Sequence, residues 1–114
     1  MSKKDSIRKE VFEIQAGVCQ CLANPKRLEI LHILRDRELS ATDIAGKVGI
    51  SNANASQHLA IMRTKGLLKS RREGVSIRYS LANPKVTTAC DIMREVLFEH
   101  LDEKRRLTGR VRTP

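Results

Sequence analysis

The stretch SATDIAGKVGISNANASQHLAIM, running from Ser40 to Met62, contains two helix starts with a turn between them, and no other feature narrows the fold as much. Ser40 and Asp43 form a capping-box-like pair, Ile44 and Val48 give the first helix a buried side, and Gly49 ends it. Gly49 and Ile50 then turn the chain, Ser51 caps the second helix, and Ala55, Leu59 and Met62 recur at the spacing of a buried helical face. Two short helices joined this way are a helix-turn-helix.

The flanks supply the rest of the fold. Upstream, Ile7, Val11, Ile14, Val18 and Cys21 or Leu22 mark an amphipathic helix from Asp5 to Leu22. Asn24 as N-cap and Pro25 at the first helical position open a second helix to about Arg35. Its Leu28, Ile30, Leu31, Ile33 and Leu34 are apolar nearly all round, as in a central core helix. Downstream of Gly66, Val75, Ile77, Tyr79 and Leu81 alternate with Ser76, Arg78 and Ser80, and Glu73-Gly74 reads as a tight hairpin turn. A last helix from about Pro84 to Leu101 is expected to bury Val86, Cys90, Met93, Leu97 and Leu101. The expected class is mainly α with a two-stranded β-wing: a winged helix-turn-helix of five helices. At 114 residues this is a single domain with a modest core, which a dimer interface would help to stabilise. Residues 1–103 are expected to form that domain and residues 104–114 a basic, flexible tail.

Charge narrows the function. Lys and Arg number 22 against 13 Asp and Glu, a formal net charge of +9. Between Asp43 and Glu73 there is no acidic residue, while Lys47, Arg63, Lys65, Lys69, Arg71 and Arg72 fall in that gap. A surface cleared of carboxylates in this way suits a polyanion. Aromatic residues are only 3% of the chain, too few for base-stacking platforms, so duplex DNA is favoured over single strands. No apolar run reaches the ~18 residues of a membrane span, and the N-terminus lacks a signal-peptide core. No membrane partner and a cytoplasmic location are expected.

On a helical wheel the second helix of the pair turns Ala53, Asn54, Ser56, Gln57 and Ala60 outward. Small residues let a backbone approach a groove, and Asn and Gln offer the donor and acceptor pair that reads adenine N6 and N7. Solvated helix faces are usually rich in Glu and Lys, whereas this one has no charge before Arg63. Ser51 to Asn54 include no carboxylate, leaving the helix N-terminus open to a phosphate. Arg71, Arg72 and Arg78, flanked by Lys69, would position the protein on the DNA backbone rather than specify a sequence.

The segments LANPKRLEILHIL, SNANASQHLAIMRTKGLL and RREGVSIRYSL, in this order, resemble the ArsR/SmtB family of bacterial winged-helix repressors from about Val18 to Leu101. The resemblance implies a homodimer through the first and last helices, bound to an inverted-repeat operator and released by a metal ion, metalloid or reactive sulfur species. It assigns base reading to Ser51, Asn52, Ala53, Asn54, Ser56, Gln57 and His58, and wing contacts to Arg71 through Arg78. Metal-sensing members carry Cys-x-Cys where Ser40 and Thr42 stand here, and zinc-sensing members carry Asp and His where Asn83 and Lys85 stand. His32 and His58 read as packed residues rather than ligands, and His100 with Glu99 and Glu103 reads as a solvated helix end.

Three thiols remain as soft ligands. Cys19 and Cys21 point roughly 200° apart on a helix and cannot share one ion. Cys21 falls on the expected buried stripe, Cys19 on a second apolar edge with Phe12, and Cys90 at the centre of the last helix's apolar side. Each alone is most simply a packing residue; together, Cys19, Cys21 and Cys90 are the candidate sensing residues, with arsenite, antimonite or persulfide modification as the matching chemistry. No arrangement of nucleophile, base and oxyanion donors is visible, so no enzyme is expected. A nonspecific chromosomal DNA-binding protein and a winged-helix protein-interaction module remain as alternatives.

Overall fold

Three short polar side chains decide where three of the four helices of the first unit begin. Asn24 Oδ1 accepts from the Arg27 amide at 3.2 Å, Ser40 Oγ from the Asp43 amide at 3.1 Å, and Ser51 Oγ from the Asn54 amide at 3.1 Å. Each satisfies one of the amides that a helix start leaves without an intrahelical partner. The computed structural model describes residues 8–108. Its elements are α1 (Lys9–Leu22), α2 (Pro25–Ile33), β1 (Leu39–Ser40), α3 (Ala41–Val48), α4 (Asn52–Thr64), β2 (Leu68–Glu73), β3 (Ser76–Leu81) and α5 (Lys85–Thr108). The chain divides into two units, the first ending at Asn83 and the second beginning at Pro84.

In the first unit the core gathers Ile30, Leu31 and Leu34 with Ile44, Ala45 and Val48 of α3 and Ala55, Leu59 and Met62 of α4. Leu39, Leu67, Leu68 and Leu81 close it from the sheet side. Gly49 ends α3 in the left-handed region at φ 70°, a conformation open to glycine without a Cβ clash, and Ile50 and Ser51 complete the turn into α4. The helix-turn-helix is therefore fixed by two caps, one glycine and three buried side chains on each helix.

The sheet differs from the expected two-stranded wing. It has three antiparallel strands in the order β1-β3-β2, with Leu39 opposite Tyr79 and Ser40 opposite Arg78. A two-residue strand has no periodicity to reveal it in the sequence. The hairpin turn also shifts by one residue. Glu73 pairs with Ser76, so the loop is Gly74-Val75, with Gly74 at φ 62° and Val75 fully exposed. A glycine of positive φ at the first loop position is the two-residue turn whose twist matches the strands.

Helix ends move as well. Leu34 leaves α2 at Ile33, short of Arg35. Helix α5 runs on to Thr108, past the expected end at Leu101, and the cations Arg105 and Arg106 in its last turn suit the negative end of the helix dipole. Residues 104–108 of the expected tail are thus helical, and residues 109–114 lie outside the described residues, as do Asp5 and Ile7 of the expected first helix. The stripe on α1 is not buried as expected: Ile14 is 69% exposed, Val11 is exposed too, and only Cys21 is buried, while Phe12, on the second apolar edge, is 58% exposed. The N-terminal half of α1 stands clear of the core. In the second unit Met93 is 65% exposed, and Ile92, Val96 and Leu97 are exposed beside it, although a buried side had been expected for Met93 and Leu97. His32, expected to be packed, is exposed and lies 3.4 Å from the Arg35 guanidinium.

Candidate nucleic-acid interface

Burial of Ala55, Leu59 and Met62 fixes the rotation of α4, and the opposite side follows from it. Ser51, Asn52, Ala53, Asn54, Ser56, Gln57 and Ala60 are all exposed. The first turn of α4 holds no acidic residue, so the positive end of its dipole faces solvent unopposed. This face offers hydroxyl and amide groups for base edges and open amides for a phosphate.

His58 departs from that face. It is half-buried, and its Nδ1 accepts a hydrogen bond from Arg27 Nε at 3.0 Å. The acceptor role places the ring proton of the neutral imidazole on Nε2. Burial holds the His58 pKa below its ordinary value, and the neighbouring Arg27 charge adds to the effect. His58 therefore joins α4 to α2, with its Nδ1 turned towards Arg27 rather than towards the exposed side of α4.

The strand register sorts the wing cations onto two faces. Arg71 lies opposite Arg78, Lys69 opposite Ser80, and Arg72 opposite Ile77. Side chains alternate along a strand, so Arg72 shares a face with Leu68 and Leu81, while Lys69, Arg71 and Arg78 share the other. On that second face Arg71 is engaged. Its Nε lies 2.9 Å from both carboxylate oxygens of Glu38, and its Nη2 donates to Glu38 at 2.6 Å and to Glu73 at 2.8 Å. Hydrogen bonding from Arg71 lowers the Glu38 pKa, and Arg78 and Lys69 add to it through their charges. Arg78 is half-buried, with its Nε lacking a partner among the described residues. Arg63, Lys69 and Arg72 are exposed.

Sequence reasoning had overlooked Lys26, Arg27 and Glu38. Lys26 Nζ donates to the Val48 carbonyl at 2.8 Å, holding α2 to the end of α3, and pairs with Glu29 at 3.1 Å. Arg27 adds a second bond, from Nη1 to the Cys21 carbonyl at 3.1 Å. One signal was present: two cations in the first turn of α2, with no acid there, oppose the helix dipole and so mark side chains with partners elsewhere.

All three cysteines are free thiols. Cys19 is exposed and Cys21 buried, in keeping with their opposite directions on α1; Cys90, half-buried, belongs to the second unit. Among the described residues no three His, Cys, Asp or Glu side chains converge as a metal site would need. No helix among them is long and apolar enough to cross a membrane.

Comparison with known proteins gives consistent matches. The sequence model for "Bacterial regulatory protein, arsR family" matches residues 24–70. The nodulation protein NolR of Rhizobium meliloti is 36% identical over 93 residues, covering 82% of this chain and 76% of that protein. The crystal structure of Rv0081 from Mycobacterium tuberculosis superposes with a TM-score of 0.76 at 30% identity, covering 85% of this chain and 98% of that one. The solution structure of the homodimeric winged helix-turn-helix DNA-binding domain of Mb0332 from Mycobacterium bovis gives 0.75 at 31% identity, covering 89% and 94%.

Proposed function

The chain belongs to the arsR family of bacterial regulatory proteins, and from that premise we propose that it is a homodimeric repressor that binds an inverted-repeat operator in duplex DNA. The observation that carries this reading is the exposed, uncharged, amide-bearing side of α4, in a chain that also exposes Arg63, Lys69 and Arg72. Asn54 and Gln57 read base edges in the major groove, Ser51, Asn52, Ala53 and Ser56 allow close approach, and the cations hold the phosphates.

Dimerisation places two such helices about 34 Å apart, in successive major grooves. The exposed apolar side chains of α1 and of α5 are the surfaces proposed to meet in the dimer. Release is assigned to Cys19 and Cys90, with Cys21 as the third candidate thiol, because the ligand positions of the family's metal sites hold Ser40, Thr42, Asn83 and Lys85. Thiolates prefer trivalent arsenic, trivalent antimony or sulfane sulfur to harder ions. The regulator would act in the cytoplasm, where these thiols stay reduced.

Selection from a random duplex library followed by footprinting tests the reading. A discrete protected palindrome supports it, a uniform coat indicates a chromosomal protein, and no retardation at low salt indicates an interaction module. Release from the selected duplex is then measured with arsenite, an organic persulfide and zinc, for wild type, Cys19→Ser and Cys90→Ser. Unaltered release in both variants removes the cysteine mechanism.

A further inference from the structure

Arg27 occupies a place that the helix dipole disfavours for a cation, yet its guanidinium is used in two directions. Nε donates to His58 Nδ1 in α4, and Nη1 donates to the main-chain carbonyl of Cys21 in the last turn of α1. One planar group rooted in α2 therefore touches both the end of α1 and the middle of α4. A guanidinium presents its donors in a rigid fork, so an acceptor that moves must carry the other with it or lose its bond.

His58 is well placed to pass such a movement on. It follows Gln57 directly and lies one helical turn beyond Asn54. Its lowered basicity keeps Nδ1 an acceptor at neutral pH. We propose that Arg27 is a positioning residue that couples the C-terminal turn of α1 to the base-reading helix, so that a displacement of α1 alters how Asn54 and Gln57 meet DNA. The proposal rests on the reading of α4 as the base-reading helix, and it adds to that reading the path by which an event at α1 reaches it.

Three variants separate coupling from simple support. Arg27→Lys keeps the charge but cannot span both acceptors. His58→Leu removes the acceptor, and His58→Asn restores an oxygen close to the position of Nδ1. The first readout needs no DNA: backbone amide resonances of residues 20–23 and 52–58 in the full chain. Arg27→Lys and His58→Leu should each move both groups of resonances, and His58→Asn should leave residues 20–23 near their wild-type positions. The second readout is affinity for the duplex the chain itself selects, against a scrambled duplex. Arg27→Lys and His58→Leu should each reduce that preference about tenfold, and the double variant no further than the larger single effect. Unmoved residues 20–23 in His58→Leu, additive losses, or an Asn variant as impaired as the Leu variant would overturn the coupling. Should His58→Leu fail to fold, Arg27→Lys decides from the other side of the bond. A wild type with no preferred duplex would sink the repressor reading, while the DNA-free resonances would still decide the link.

Discussion

Arg71 and Arg72 are sequence neighbours with the same side chain, but the structure gives them different surroundings, from which opposite roles in the proposed DNA binding are expected. The Arg72 side chain is exposed and makes no hydrogen bond or ion pair among the described residues, whereas Arg71 is held by Glu38 and Glu73. Each phosphate neutralised by a cation contributes about −0.9 to the slope of log affinity against log salt. A dimer carries two copies of Arg72, so Arg72→Ala should flatten the slope by about 1.8. Across a fourfold rise in salt, from about 50 to about 200 mM, wild type should lose about twelvefold more affinity than this variant. Arg71→Ala should leave the slope nearly unchanged, because its charge is already matched by carboxylates. Glu38→Gln should steepen it by releasing Arg71 towards the duplex. Fluorescence anisotropy with a labelled random-sequence duplex at several salt concentrations measures all three. An Arg71→Ala slope as flat as that of Arg72→Ala would refute the division of roles.

Three other outcomes follow from the same geometry. Gln57→Ala or Asn54→Ala should weaken the selected duplex by ~1–3 kcal/mol and leave scrambled DNA nearly unaffected, measured by competition binding. Ser51→Ala removes the side-chain acceptor at the Asn54 amide and should cost about 1 kcal/mol in urea unfolding, with the dimer concentration held fixed. His58, with its folded pKa below the ordinary 6.5, contributes stability that is complete above that value and lost as pH falls through the folded pKa. The urea midpoint should therefore drop on acidification below pH 6.5, and more steeply than in His58→Asn, which cannot take up that proton.

The helix-turn-helix was legible because its determinants are local. Ser40, Gly49 and Ser51 act within one turn of themselves, and Ala55, Leu59 and Met62 repeat with the helical period. The exposed side of α4 followed from that period alone. His58 did not, because its partner Arg27 lies 31 residues away. The wing cations were grouped together in the sequence because LKSRRE has no alternation of its own. Only the pairing of Arg71 with Arg78 and of Arg72 with Ile77 shows that consecutive arginines face apart. Glu38, 33 residues from Arg71, gave no sign of its pairing. On α1 the apolar period was plain at Val11, Ile14 and Val18, but a period records that a surface needs cover and not which surface supplies it.

The bond from Arg27 to residue 21 ends on a main-chain oxygen. Such an acceptor is the same whatever side chain the residue carries, so the link is blind to the chemistry at that position. Thioether, thiol, hydroxyl or plain hydrocarbon at residue 21 would all leave the contact to the guanidinium intact, provided the helix keeps its path and the side chain fits its buried site. With the proposed trigger on α1 and the proposed base-reading side on α4, detection and reading are thereby separable traits. One lineage can exchange the first without rebuilding the second, and an engineer can install a new trigger on α1 while inheriting the DNA-reading half unchanged.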